Sequence, residues 1–297
     1  MRLGVSLRSA YNPMDDHRVG ARWVIERGLA TRDAGLDSLF VGDHHATGPF
    51  PYYQNVPLMG RLLADWDERP AGVLMLLPLW HAVLAAEQLG TLASIARGRF
   101  ILQCALGAGE QQFAAMGANM RTRPSRFEAV LDTIRRLLAG EEVDGVRVAP
   151  IPTEPMEVWI GASADPAIDR AARLGDAWLA EPNLVPDEAR RQLESYLGAC
   201  ERHGRTPTAV AIRRDVHVGA DAEDAVRVAQ PIVDAGYRGF RPDACTYGSV
   251  EQVAETFAQY GKMGYTDVIV RHLVDDQSEV LRSLQRLGAV REAIAAT

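Results

Sequence analysis

Eight short apolar runs recur along the chain, most of them followed by a stretch with helical periodicity. This alternation limits the fold more than any other feature. The runs are Leu3–Leu7, Ser38–Val41, Gly72–Leu77, Phe100–Ala105, Glu157–Ile160, Ala177–Ala180, Val210–Val218 and Asp267–Arg271. Most are continuous rather than alternating, the pattern of parallel strands covered on both faces. Between two of them, Phe127, Val130, Leu131, Ile134, Leu137 and Leu138 repeat at helical spacing, and Val280, Leu284, Leu287, Val290 and Ile294 do so near the end. Eight strands alternating with helices predict an α/β fold, a (β/α)₈ TIM barrel forming one domain over residues 1–297. An open doubly wound sheet can also hold eight strands, so the count alone leaves that rival standing. No repeat with a period of roughly 20–50 residues points to a solenoid.

Local signals refine this reading. Ser249 with Gln252 three residues later predicts a capping box. Asp165-Pro166 predicts an N-cap ahead of a proline at the first helical position, and Pro186-Asp187-Glu188 places acid in a first turn. The stretch 141–155, rich in valine, glycine and proline, reads as a short excursion shaped like a hairpin.

Charge and composition exclude several function classes. A net charge of −7 argues against nucleic acid as the partner, because phosphate binding needs a basic face. No segment approaches the ~20 apolar residues of a membrane span, and the first residues are too short an apolar stretch for a signal peptide. Cys104, Cys200 and Cys245 form no C-x-x-C pair, which fits a reducing cytoplasm. The basic residues are arginines except for Lys262.

In such barrels functional groups project from the carboxyl ends of the strands. After the second run comes Gly42-Asp43-His44-His45. His44 is placed to act as an acid or base with Asp43 orienting it, while a satisfied structural histidine is the plain alternative. A metal reading is disfavoured, since neighbouring side chains on an extended segment diverge. After the fourth run, Gly107 and Gly109 would let backbone amides approach a flat ring or an anion, with Glu110 as a proton carrier; a simple tight turn explains them equally. This is no dinucleotide fingerprint, because Gln112 holds the place of the third glycine. After the fifth run, Gly161, Ala162 and Ser163 open into a helix, a cradle for phosphate or merely a cap. Arg271 ends the last run, where it could reach a phosphate or an acidic substrate, or serve a structural ion pair.

Taken in order, these segments resemble the bacterial-luciferase-like flavin monooxygenases and F420-dependent oxidoreductases. The likeness is carried by residues 35–44, 77–85 (LPLWHAVLA), 93–102 (ASIARGRFIL), 123–128 (RPSRFE), 157–161, 171–178 and 248–254. It covers essentially the whole chain. The resemblance implies a barrel mouth holding FMN or F420, with a non-prolyl cis peptide at the third strand, expected at Gly72–Val73, behind the ring. It implies His44 and Glu110 as catalytic residues, and Asp43, Gly72, Val73, Gly107, Gly109, Gly161, Ala162 and Ser163 around the cofactor. Trp80 stands where the family commonly has arginine, Ala82 where it has proline, and Gly48 where the sugar-phosphate dehydrogenases carry tryptophan.

The resulting expectation is a cytoplasmic two-component monooxygenase. It would use reduced FMN from a separate reductase, and O₂, on a small organic substrate. F420-dependent hydride transfer is the alternative, and a non-catalytic flavin-binding subunit a further one. The resemblance also implies a homodimer, and no metal is expected. The aromatic residues of 46–56 and 240–247 are expected to line the entrance.

Overall fold

The computed structural model describes residues 1–12 and 16–296. Strand β1 (Arg2–Leu7) is followed by α1 (His17–Asp33), β2 (Ser38–Val41), α2 (Asn55–Leu63), β3 (Ala71–Leu76) and α3 (Ala82–Ile95). Then come β4 (Phe100–Ala105), α4 (Glu110–Ala115), α5 (Arg123–Leu138), β5 (Glu157–Gly161), α6 (Asp165–Leu174), β6 (Ala177–Ala180) and α7 (Pro186–Arg202). The chain ends with β7 (Ala209–Val218), α8 (Ala222–Asp234), β8 (Cys245–Gly248), α9 (Val250–Met263), β9 (Asp267–His272) and α10 (Gln277–Ala295). All eight expected strands are present to within one residue at each end, and their alternation with helices is the element order of a (β/α)₈ barrel. The ninth, β8, begins inside the 240–247 segment and ends one residue beyond it: Cys245-Thr246-Tyr247-Gly248 is too short and too polar to register as an apolar run.

Contacts divide the chain into two compact units. The first comprises Met1–Arg8, Trp23–Leu39 and Trp159–Thr297. Its strands pair in parallel, β5 with β6, β6 with β7, β7 with β9 and β9 with β1. The ten-residue β7 serves two neighbours: Ala211–Val216 pair with β9, and Asp215–Val218 pair with β8. The second unit comprises Ser9–Arg22 and Phe40–Val158 and contains the parallel pair of β3 and β4, in register from Ala71 opposite Phe100 to Leu76 opposite Ala105.

The helices form for the reasons their spacing announces. In α5, Phe127, Val130, Leu131, Ile134 and Leu137 are all buried, and removing five such side chains from water contributes on the order of 10 kcal/mol before chain entropy is counted. In α10, Val280, Leu284, Leu287, Val290 and Ile294 are buried on one stripe, and the Asp276 side chain caps the start by accepting from Glu279 N. The capping box at Ser249 and Gln252 is complete in both directions. Helix α9 ends at Gly264, which takes the left-handed conformation (φ 117°), with Lys262 exposed in the last turn at the amino end of β9. The 141–155 excursion contains a tight antiparallel bridge between Val143 and Val146.

Two local expectations are corrected. The N-cap of α6 is Ala164, so Asp165 already lies inside the helix, and no side chain caps that end. No cis bond occurs at Gly72–Val73; the cis bonds among the described residues are Gly48–Pro49 and Ala149–Pro150. Both residues sit in mid-strand, opposite Ile101 and Leu102, where the ladder holds an ordinary extended trans backbone. Gly72 is required there by packing: a Cβ would lie 2.2 Å from the Ile101 carbonyl oxygen and 3.0 Å from the Phe40 ring.

Candidate active site

In the second unit, three strand exits bring polar groups together. The Asp43 carboxylate follows β2 and is fully buried. Its Oδ2 accepts from the Leu76 amide at 2.7 Å, where β3 ends, and from the Trp80 indole Nε1 at 2.8 Å. Its Oδ1 faces His45 Nε2 at 3.2 Å, within ion-pair range but without the alignment of a hydrogen bond. The His45 amide is held in turn by Gln112 Oε1 at 3.1 Å, and the Gln112 amide nitrogen donates to the Ala108 carbonyl. The imidazole of His45 also meets the Trp80 ring edge-on, with centroids 5.7 Å apart. The knot rests on an apolar cluster of Leu76, Leu79 and Phe113.

The imidazole that Asp43 faces is therefore that of His45, a correction to the expectation that it orients His44. His44 is exposed and turned the other way, against Tyr52 at 5.4 Å, while its carbonyl accepts from Gln54 Nε2. The divergence of adjacent side chains on an extended segment is the cause. Trp80 gives its departure from the family pattern a chemical content, since a neutral indole donor meets a carboxylate where a cation is usual.

At the exit of β4, Gly107 and Gly109 both have positive φ, 71° and 95°. At Gly107 a Cβ would also press on the Leu76 side chain at 3.3 Å, so this turn sits tightly against the end of β3. Glu110 is exposed at the start of the six-residue α4, and its side chain makes no hydrogen bond or ion pair with a described residue. One candidate escaped the sequence reading: Gln103, in the interior of β4, is buried, and its Nε2 has no hydrogen-bond partner among the described residues. A polar residue inside an otherwise apolar run was the available signal.

In the first unit, β5 ends at Gly161, and the Trp178 indole donates to the Ala162 carbonyl at 2.9 Å. Ser163 opens onto a hollow it shares with Ala164 and Asp165 of the α6 start and with Arg191, Gln192 and Ser195 of α7. An uncapped helix start beside an arginine suits an anion, although Asp165 in the first turn takes part of that field itself.

Midway along β7, Arg213 Nε and a terminal nitrogen grip both oxygens of Asp215 at 2.9 and 2.8 Å, and the Tyr237 hydroxyl donates to the same carboxylate at 2.7 Å. Burial opposes the ionised form of Asp215, but Arg213 and Arg271 outweigh it and hold the carboxyl below the usual range. Burial also raises the Tyr237 hydroxyl above its ordinary value. His272 is buried against no hydrogen-bond partner for Nε2 among the described residues; desolvation, with Arg27 nearby, pushes it down to about 3.

This geometry places buried and exposed proton carriers at strand carboxyl ends, the arrangement of an α/β-barrel enzyme. The description "luciferase-like monooxygenase" matches residues 1–265, and the chain belongs to that family of enzymes. The F420-dependent glucose-6-phosphate dehydrogenase of Beutenbergia cavernae is 32% identical over 171 residues, 51% of this chain and 50% of that protein. The chain spans about half the length of the first curated relatives it matches. Among solved structures, the oxygenating constituent of the 3,6-diketocamphane monooxygenase of Pseudomonas putida, in complex with FMN, superposes with a TM-score of 0.82 at 18% identity, covering 99% of this chain and 98% of that one. An F420-dependent secondary alcohol dehydrogenase does so at 0.77 with 15% identity, over 99% and 98%. These likenesses show the fold to be the luciferase-like (β/α)₈ barrel. No helix among the described residues is long and apolar enough to cross a membrane.

Proposed function

We propose that the chain is a flavin-type oxidoreductase acting on a small organic substrate, and that it uses reduced FMN and O₂. The observation that carries the redox reading is the knot of Asp43, His45 and Trp80 beside the Gly107–Glu110 turn, where proton carriers meet an apolar wall at the strand exits. The residues present fit a flavin-type ring. The orphaned Gln103 amide is a buried donor suited to a ring carbonyl oxygen, and the two positive-φ glycines keep side chains off the turn where a flat group would lie. Gly161, Ala162 and Ser163, with Arg191 across the hollow, would hold a phosphate. Gly72 and Val73, buried in mid-strand, would floor the site rather than touch a ligand through side-chain chemistry.

Reduced FMN would supply two electrons to O₂, one oxygen atom entering the substrate and the other leaving as water. The chain's own part is acid–base and steric. His45, oriented by Asp43, and the exposed His44 and Glu110 would deliver or accept protons at the substrate. Trp80, Leu76 and Leu79 would keep water from the reacting face. The reduced flavin would come from a separate reductase, and the protein would work as a homodimer.

A second reading is favoured by the F420-dependent dehydrogenases among the relatives: direct hydride transfer with the same residues moving the proton. Anaerobic titration with reduced FMN and reduced F420, followed by absorbance, separates the two. Tight binding of reduced FMN with substrate-dependent oxygen consumption supports the first. Turnover with F420 in the absence of oxygen replaces it with the second, and binding of neither refutes the redox reading.

A further inference from the structure

The middle of β7 and the carboxyl end of β9, where Asp215 and Arg271 are register neighbours, gather more positive charge than the one carboxylate there neutralises. Arg213 and Tyr237 already occupy the Asp215 carboxylate from two sides. Arg271 is the direct register neighbour of Asp215 on β9. It is only 8% exposed, its Nε is buried with no hydrogen-bond partner, and its side chain forms no hydrogen bond or ion pair with any described residue. Leaving a guanidinium stranded in this way is costly unless something else meets it.

Arg238 adds a third guanidinium beside these two. Its backbone is left-handed (φ 51°), a conformation that a long side chain adopts at a cost, and its head lies over the Phe240 ring at 5.5 Å. It has no hydrogen-bond partner among the described residues. The crowding is felt electrostatically: Arg213 is pushed down to about 10, first by burial and then, against the pull of Asp215, by the fields of Arg271 and Arg238. Arg8, the next cation in reach, is already paired with Asp275. Three guanidinium groups thus share one carboxylate, which already accepts three hydrogen bonds, two from Arg213 and one from Tyr237, and none from Arg271 or Arg238.

We propose that Arg271 and Arg238, braced by the Arg213–Asp215–Tyr237 network, form an oxyanion receptor that takes the acid group of the substrate, a carboxylate or a phosphate. A planar fork of N–H donors matches such a group in two-point fashion, which an ammonium cannot do. Phe240 and Tyr237, packed edge to face at 5.7 Å, supply the apolar flank for the carbon skeleton attached to it. The substrate class is therefore an organic acid or a phosphorylated organic compound. Calling the bound molecule a substrate rests on the redox reading; the receptor itself does not.

The test uses the full chain and simple probes, namely benzoate, its uncharged isostere benzamide, and inorganic phosphate, with calorimetry and thermal melting as readouts. Benzoate or phosphate is expected to bind and raise the melting temperature, and benzamide to do neither. Arg271→Gln should weaken benzoate at least tenfold. Arg238→Asn, which removes the guanidinium at an exposed position and tolerates the left-handed backbone, should weaken it several-fold even if the buried variant folds poorly. Arg136→Gln, at an exposed position of α5, should change nothing. Equal binding of benzoate and benzamide, or wild-type affinity in both variants, overturns the receptor. Displacement of benzoate by FMN or F420 overturns the assignment to substrate and gives the arginines to the cofactor. Persistent benzoate binding in a protein that takes up neither cofactor supports the receptor while refuting the redox reading.

Discussion

Replacing Asp43 by alanine tests the centre of the proposed site. In the folded protein this carboxylate is fully buried and satisfies two donors, the Leu76 amide at 2.7 Å and the Trp80 indole at 2.8 Å. Alanine strands both donors away from water, at about 1–3 kcal/mol each, so the loss sums to about 2–6 kcal/mol. For a chain of this size that corresponds to a fall in melting temperature of roughly 5–20 °C. Asp43→Asn keeps an acceptor oxygen within reach and forfeits mainly the charge assistance, about 1–2 kcal/mol. The assay is thermal and urea unfolding of both variants, with oxygen consumption alongside. Activity should fall in the asparagine variant well beyond its small stability loss, because His45 loses the charge that faces it at 3.2 Å. If alanine shifts the melt by less than about 2 °C, the two hydrogen bonds do not bear the weight assigned to them.

Gln103→Leu should leave stability unchanged or raise it, since it removes a buried unpartnered amide, yet weaken reduced FMN on the order of tenfold, the worth of one hydrogen bond; unchanged flavin affinity would remove Gln103 from the site. His272 predicts an acid limb in the stability curve. With its folded value at about 3 and an unfolded value of ~6.5, the unfolded chain gains a proton that the folded one refuses. Stability is therefore intact above about pH 6.5 and lost, by up to roughly 1.4 kcal/mol per pH unit, as the pH falls towards 3. Between about pH 7.5 and 5 the melting temperature of the wild type should fall more steeply than that of His272→Phe; parallel curves would count against the assignment.

The strands were legible because parallel strands buried on both faces must be apolar throughout, and few other local arrangements look like that. Strand β8 was hidden because its stability comes from pairing with Asp215–Val218 of β7, a partner some thirty positions away, rather than from its own composition. At the site, the cluster Asp43-His44-His45 was visible, but which imidazole the carboxylate would face was not. That choice is made by Trp80 and Gln112, 37 and 67 residues along the chain from the groups they hold. The N-cap of α6 moved by one residue because Pro166 fits the second helical position as well as the first. From the sequence Arg271 fits an ion pair as well as an anion site, and what separates the two is that Asp215 takes its hydrogen bonds from Arg213 and Tyr237.

The arginine-for-lysine bias leaves a practical handle. Within these 297 residues Lys262 carries the single side-chain amine, exposed at the amino end of β9, while Arg271 stands near the carboxyl end of the same strand, roughly 15 Å on at the usual rise per residue. Amine-directed coupling to a sensor surface or a fluorophore, at Lys262 or at the amino group of Met1, which lines the same hollow, would therefore tether the molecule by that end and leave the guanidinium-bearing edge away from the attachment, which suits surface-based measurement of small acids without any engineered tag.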